Sequence, residues 1–175
     1  ETLARVIDTV INKFGSILPN LSWINLGGGH RLADDDYHFE LLQEPLSKLT
    51  LDYGLSVYVE PCEAIVTGCG YLLATVLDIV ENEKKTAILD TSAVCHMPDV
   101  LEMPYRPDIE YPANGDLKPH RYILSGVTCL AGDIIGEYQM ANPLHTGDKI
   151  IFSDMGAYTF AKENYFNGIN LPAIV

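Results

Sequence analysis

Three consecutive glycines and a histidine, Gly27–His30, close a short apolar run that begins at Trp23. Glycine lacks a Cβ, so the backbone can turn sharply, adopt positive φ and approach a ligand closely. Successive N–H groups exposed by such a turn form a concave anion site, strongest where a helix begins just behind it. Asp34, Asp35 and Asp36 precede an apolar-periodic stretch and mark that helix start. The plain alternative is a flexible turn after a buried strand. Four further clusters gather acids, thiols, histidine and tyrosine. They are Glu60–Ala64 (Glu-Pro-Cys-Glu-Ala), Asp90–Pro107 (Asp-Thr-Ser-Ala-Val-Cys-His-Met-Pro-Asp-Val-Leu-Glu-Met-Pro-Tyr-Arg-Pro), Gly126–Asp133 (Gly-Val-Thr-Cys-Leu-Ala-Gly-Asp) and Asp154–Thr159 (Asp-Met-Gly-Ala-Tyr-Thr).

The elements that must carry these clusters change character along the chain. Leu3, Val6, Ile7, Val10, Ile11 and Phe14 repeat at helical spacing, and Gly15 ends that helix. Leu21–Leu26 reads as a strand running into the glycines. Asp35–Leu49 reads as a helix kinked or split by Pro45. Leu55–Val59 reads as a second buried strand that delivers Glu60 at its end. Helix, strand, loop, helix and strand in that order predict an α/β unit with parallel strands, whose ligands sit just past the strand C-termini. Residues 1–62 form this unit. Residues 63–175 predict an all-β module of sandwich or barrel type, with strands at Tyr71–Val80, Thr86–Leu89, Arg121–Ser125, Ile134–Tyr138, Lys149–Ser153 and Tyr158–Ala161.

Composition narrows the partners. The 175 residues carry 24 acidic against 11 basic side chains, a formal net charge of −13. That balance argues against nucleic acid and favours a cationic partner. No run reaches membrane-spanning length and no signal peptide opens the chain. Cys62, Cys69, Cys95 and Cys129 show no Cys-x-x-Cys spacing and read as free thiols of a reducing compartment, the cytoplasm. Five scattered histidines without paired ligand spacing give no metal site. Glu1 lies inside a helical pattern and Leu171–Val175 is apolar, so both ends read as cuts in a longer polypeptide.

Taken in order, the five clusters resemble the fold-type III pyridoxal-phosphate decarboxylases, the group of ornithine and diaminopimelate decarboxylases. His96–Pro107, the histidine after the triple glycine and Phe166-Asn167-Gly168-Ile169 resemble the carboxynorspermidine/carboxyspermidine decarboxylase branch. The resemblance covers essentially the whole chain. It implies the last two units of a (β/α)8 barrel followed by most of a C-terminal β-domain. It also implies loss of CO2 from carboxynorspermidine or carboxyspermidine to give norspermidine or spermidine, in polyamine biosynthesis.

The resemblance also assigns residues. Gly27, Gly28 and Gly29 would hold the dianionic 5′-phosphate of pyridoxal phosphate through backbone N–H groups, and Tyr158 would add a phenolic donor. Glu60 would pair with the pyridine nitrogen and make the ring a better electron sink. Cys129 would reprotonate the carbon that lost CO2, a task suited to a thiol whose pKa lies near neutrality. Asp133 closes that loop as a substrate residue, and the loop would reach into the partner subunit's site, giving a homodimer with composite active sites. Asp99, Glu102 and His96 would line the site of a small polycationic substrate, and His30 would lie near the pocket. Asp99 and Glu102 read equally well as turn acids or as partners of Arg106. Tyr158, Cys129 and the histidines each read otherwise as packed, satisfied residues.

Three departures from the pattern matter. Cys62 and Glu63 replace a glycine and a phosphate-binding arginine, and Leu130 replaces an acid that grips diamines, which points to a different, longer substrate. The cofactor-anchoring lysine of such enzymes lies upstream of Glu1, and Lys13, Lys48, Lys84, Lys85, Lys118, Lys149 and Lys162 all lack its context. This stretch alone is therefore expected to be inactive. The competing readings are a diaminopimelate, arginine or ornithine decarboxylase, a non-catalytic dimerising homologue, and a bare phosphate-binding β-rich module.

Overall fold

The computed structural model describes residues 2–110 and 120–175, and Lys118 lies outside them. The chain divides into two compact units, Glu1–Val66 and Thr67–Val175.

In the first unit, helix α1 (Thr2–Phe14) buries Leu3 and Ile7, and the Gly15 N–H donates to the Ile11 carbonyl as the helix ends. Strand β1 (Trp23–Asn25) pairs in parallel with β2 (Ser56–Tyr58), with Ile24 opposite Val57. The pairing continues beyond the strands, because Leu26 N–H donates to the Tyr58 carbonyl and Glu60 N–H to that of Gly27. Leu3, Ile7, Leu18, Leu42, Leu49 and Leu55 form the core. Helix α2 (Glu40–Ser47) starts later than expected. Residues 30–39 form successive turns instead, and Arg31 Nε bonds Asp34 Oδ1 at 3.2 Å. Aspartates offer the backbone local alternatives to helix, and Tyr37 packs on the core with its ring 4.8 Å from that of Phe39. The glycine turn thus has no helix N-terminus directly behind it. Pro45 does not split α2, which runs on into a π-helical turn over Lys48–Asp52. Helix α3 (Cys62–Val66) closes this unit, so residues 63–66, assigned to the β-module from sequence, belong here.

The second unit is built on a curled mixed sheet of five strands: β3 (Leu72–Asn82), β4 (Lys84–Leu89), β5 (His120–Ser125), β6 (Ile134–Met140) and β7 (Lys149–Phe152). Their order is β6-β5-β4-β3-β7, antiparallel throughout except for β4 beside β5. Alternate residues point inward, so Ala74, Val76, Ala87, Leu89, Leu124, Ile150 and Phe152 make one apolar core. Two short helices, α4 (Ala93–His96) and α5 (Asp99–Glu102), follow β4 and add Ala93 and Val100 to that core, with Met97 joining from the link between them. The expected strand at Tyr158–Ala161 is instead a single helical turn, α6. The free edge of β7 is already taken: Ile109 bridges Phe152, Glu110 N–H donates to Ile151 O and Ser153 N–H to Asp108 O. No described helix is long and apolar enough to cross a membrane.

Candidate functional site

In the first unit the glycine turn and Glu60 come together. Gly27 and Gly29 both take φ of +75°, the left-handed region that favours glycine. Asn25 ties the turn to the acid: its Oδ1 accepts from Gly27 N–H at 2.8 Å and its Nδ2 donates to Glu60 Oε1 at 2.6 Å. Gly28 has no room for a side chain, since a Cβ there would lie 2.8 Å from the Glu60 carbonyl oxygen. His30 Nε2 lies 3.4 Å from the Leu26 carbonyl. Glu60 does not stand behind a buried strand as expected: Ser56 and Tyr58 are exposed and Val57 is half-buried. The result is a backbone cradle with one carboxylate held beside it. That arrangement fits an anion joined to a basic ring nitrogen, such as a pyridine phosphate ester.

In the second unit Cys129 is exposed on the loop between β5 and β6. Its backbone N–H donates to Asn167 Oδ1 at 3.0 Å. Asp133, expected at the substrate, is buried and bound on both oxygens. Oδ1 accepts from Ala93 N–H at 2.7 Å and Val94 N–H at 3.4 Å. Oδ2 accepts from Ser92 Oγ at 2.9 Å, Thr128 Oγ1 at 2.7 Å and Thr128 N–H at 3.1 Å. Gly126 is required beneath it, because a Cβ there would come within 2.6 Å of the Asp133 Cγ and Oδ1. These contacts make Asp133 an internal anchor of the loop. His96 is likewise buried, with Nδ1 2.8 Å from Thr91 Oγ1 and Nε2 3.0 Å from the Asn170 carbonyl. A carbonyl only accepts, so Nε2 carries the proton and Nδ1 accepts from Thr91. Burial pushes the His96 pKa down, and the ring is a neutral strut that contacts no open site.

Asp99 and Glu102 do share one cation, and it belongs to the chain. Lys162 Nζ lies 2.8 Å from Asp99 Oδ1 and 2.6 Å from Glu102 Oε2. The two carboxylates hold the Lys162 pKa up. The same ammonium sits 5.1 Å from the Tyr158 ring centroid, within cation–π range. Arg106, one of the alternative partners read from the sequence, instead donates to the Glu137 carbonyl at 2.8 Å and lies over the Tyr138 ring. Tyr158 itself is 53% exposed. Sequence reasoning singled out Asn167 only within a family motif and Lys162 only as a lysine without cofactor context, and gave neither a contact in this region. Asn-Gly at 167–168 is a turn signal that could have drawn attention to the first; nothing local marks the second.

Fold and site together define a class. A family described as "Pyridoxal-dependent decarboxylase, C-terminal sheet domain" matches residues 6–156, and the chain belongs to it. The chain is 41% identical over 186 residues to a carboxynorspermidine/carboxyspermidine decarboxylase of Campylobacter jejuni, covering 100% of this chain and 49% of that protein. It is 40% identical to a carboxyaminopropylagmatine decarboxylase of Synechocystis, covering 98% and 45%. The crystal structure of the Campylobacter jejuni carboxynorspermidine decarboxylase complexed with norspermidine matches with a TM-score of 0.86 and 42% identity. That match covers 98% of this chain and 50% of the other. The chain thus spans about half the length of these relatives.

Proposed function

We propose that the protein containing this chain decarboxylates carboxynorspermidine or carboxyspermidine, yielding norspermidine or spermidine for polyamine biosynthesis. The observation that carries this reading is 41% identity along the whole chain to a protein of that name. Pyridoxal 5′-phosphate, when bound, supplies the ring that accepts the electrons left by CO2 loss. Gly28 and Gly29 would offer backbone N–H groups to its phosphate, with Gly27 shaping the turn while its own N–H is held by Asn25 Oδ1, and Tyr158 would offer a phenolic O–H. Glu60, oriented by Asn25, would pair with the ring nitrogen and favour its protonated form. Cys129 Sγ delivers a proton to the carbon that has lost CO2, then regains one. The net charge of −13 draws in a polycationic amino acid.

The reading extends to the assembly: a cytoplasmic homodimer in which the Cys129 loop reaches the partner's site, and a (β/α)8 barrel completed around β1 and β2. Parallel strands are ordinarily covered on both faces. Here Trp23 and Tyr58 are 60% and 56% exposed, which supports further strands and helices beside them.

The test is full-length protein and its Cys129→Ala variant. Wild-type protein is expected to carry the visible absorbance of bound pyridoxal phosphate and to convert carboxynorspermidine into norspermidine. Cys129→Ala should keep the absorbance and lose about 10²- to 10⁴-fold in polyamine yield, the range for removing a general acid. A colourless wild-type preparation, or full yield from the variant, would overturn the assignment.

A further inference from the structure

The segment after α6 has no role in that reaction as described, yet it closes a circuit of hydrogen bonds on Cys129. The circuit starts at Asp133, whose carboxylate grips Thr128, the residue just before Cys129, and the Ala93 N–H at the start of α4. From α4, the Val94 carbonyl accepts from Asn164 Nδ2 at 2.8 Å and the Cys95 carbonyl from Asn164 N–H at 3.0 Å. Cys95 Sγ donates to the Phe166 carbonyl at 3.3 Å, and His96 Nε2 donates to that of Asn170. These bonds fasten residues 164–170 along α4. Between the fastened points the chain makes a tight turn, with Asn167 at φ 57°, Gly168 at φ 73° and Ile169 N–H bonded to Phe166 O. Asn and Gly are the residues that tolerate two successive left-handed positions. The turn presents Asn167 Oδ1 to the Cys129 N–H at 3.0 Å.

We infer that Asn167 is a positioning residue for Cys129: its side-chain oxygen fixes the backbone from which the thiol projects, while Asp133 fixes the residue before it. The inference rests on the proposed role of Cys129 as proton donor. Proton delivery depends on heavy atoms placed to within a fraction of an ångström, so a loop released at one of its two ties should deliver less well.

Two variants separate this from a role in folding. Asn167→Gly keeps a residue that accepts positive φ but removes the acceptor, whereas Asn167→Asp keeps the acceptor oxygen. In full-length protein, hydrogen exchange over residues 127–132 should quicken about tenfold or more in Asn167→Gly and stay near wild type in Asn167→Asp. With carboxynorspermidine, Asn167→Gly should lower kcat about 10- to 100-fold with KM little changed, and Asn167→Asp should restore most of it. Unchanged exchange in Asn167→Gly, or exchange that quickens equally across all the strands, would overturn the inference. Cys129→Ala run alongside distinguishes the two claims: full yield there would refute the proton-donor role, while the exchange result would still decide whether Asn167 holds the loop.

Discussion

A buried carboxylate that accepts five protein hydrogen bonds is one of the most constrained groups in this chain. Asp133 ties β6 to Thr128 and to the start of α4, and no open surface reaches it. Asp133→Ala would strand buried donors at Ser92, Ala93 and Thr128, and the loss is expected to be about 3–5 kcal/mol. Denaturant unfolding of full-length protein at neutral pH measures this; a shift below 1 kcal/mol would show the network to be dispensable. Motif position alone placed Asp133 at the substrate, because a sequence gives the order of residues and not which face of a loop they occupy. Glu60 and the glycines were legible for the opposite reason, since strand ends and chain turns are local features. The bond from Cys129 to Asn167 spans 38 residues: each end lies in a recognisable sequence cluster, but nothing local shows that the two meet.

At the scale of elements, α4 is held between Asp133 at one end and the 164–170 segment at the other, and His96 is part of the second attachment. The native ring is neutral with its pKa below the ordinary value of about 6.5. The unfolded chain therefore binds a proton that the folded one refuses. The stability His96 contributes is fully present above about pH 6.5 and is lost as pH falls through the lowered native value. Unfolding midpoints followed from pH 8 to pH 5 should fall more steeply in wild type than in His96→Gln; parallel curves would contradict this role. Five of the six strands were legible from β-branched residues and the Gly, Pro and Asn turns between them, and in β5 buried Tyr122 and Leu124 alternate with less buried neighbours. Tyr158–Ala161 has strand-forming residues yet coils into α6. The start of α2 was misplaced for a local reason: consecutive aspartates preferred turns to a helical first turn.

At the scale of the molecule, two units each carry their own apolar core, and each contributes residues the proposed chemistry needs. Lys162 shows how the acidic surplus is managed inside the second unit. Asp99 and Glu102 share one ammonium, that of Lys162, beside Tyr158. Substrate choice is a property of the full-length protein, and it is the sharpest test of the proposed function. The measurement is kcat/KM of the full-length protein for carboxynorspermidine, carboxyspermidine, carboxyaminopropylagmatine, ornithine and diaminopimelate. A carboxylated norspermidine or spermidine should be preferred over ornithine and diaminopimelate by about 100-fold or more, as expected when a site built for a long polar chain is offered a short one. Preference for ornithine, diaminopimelate or carboxyaminopropylagmatine would contradict it.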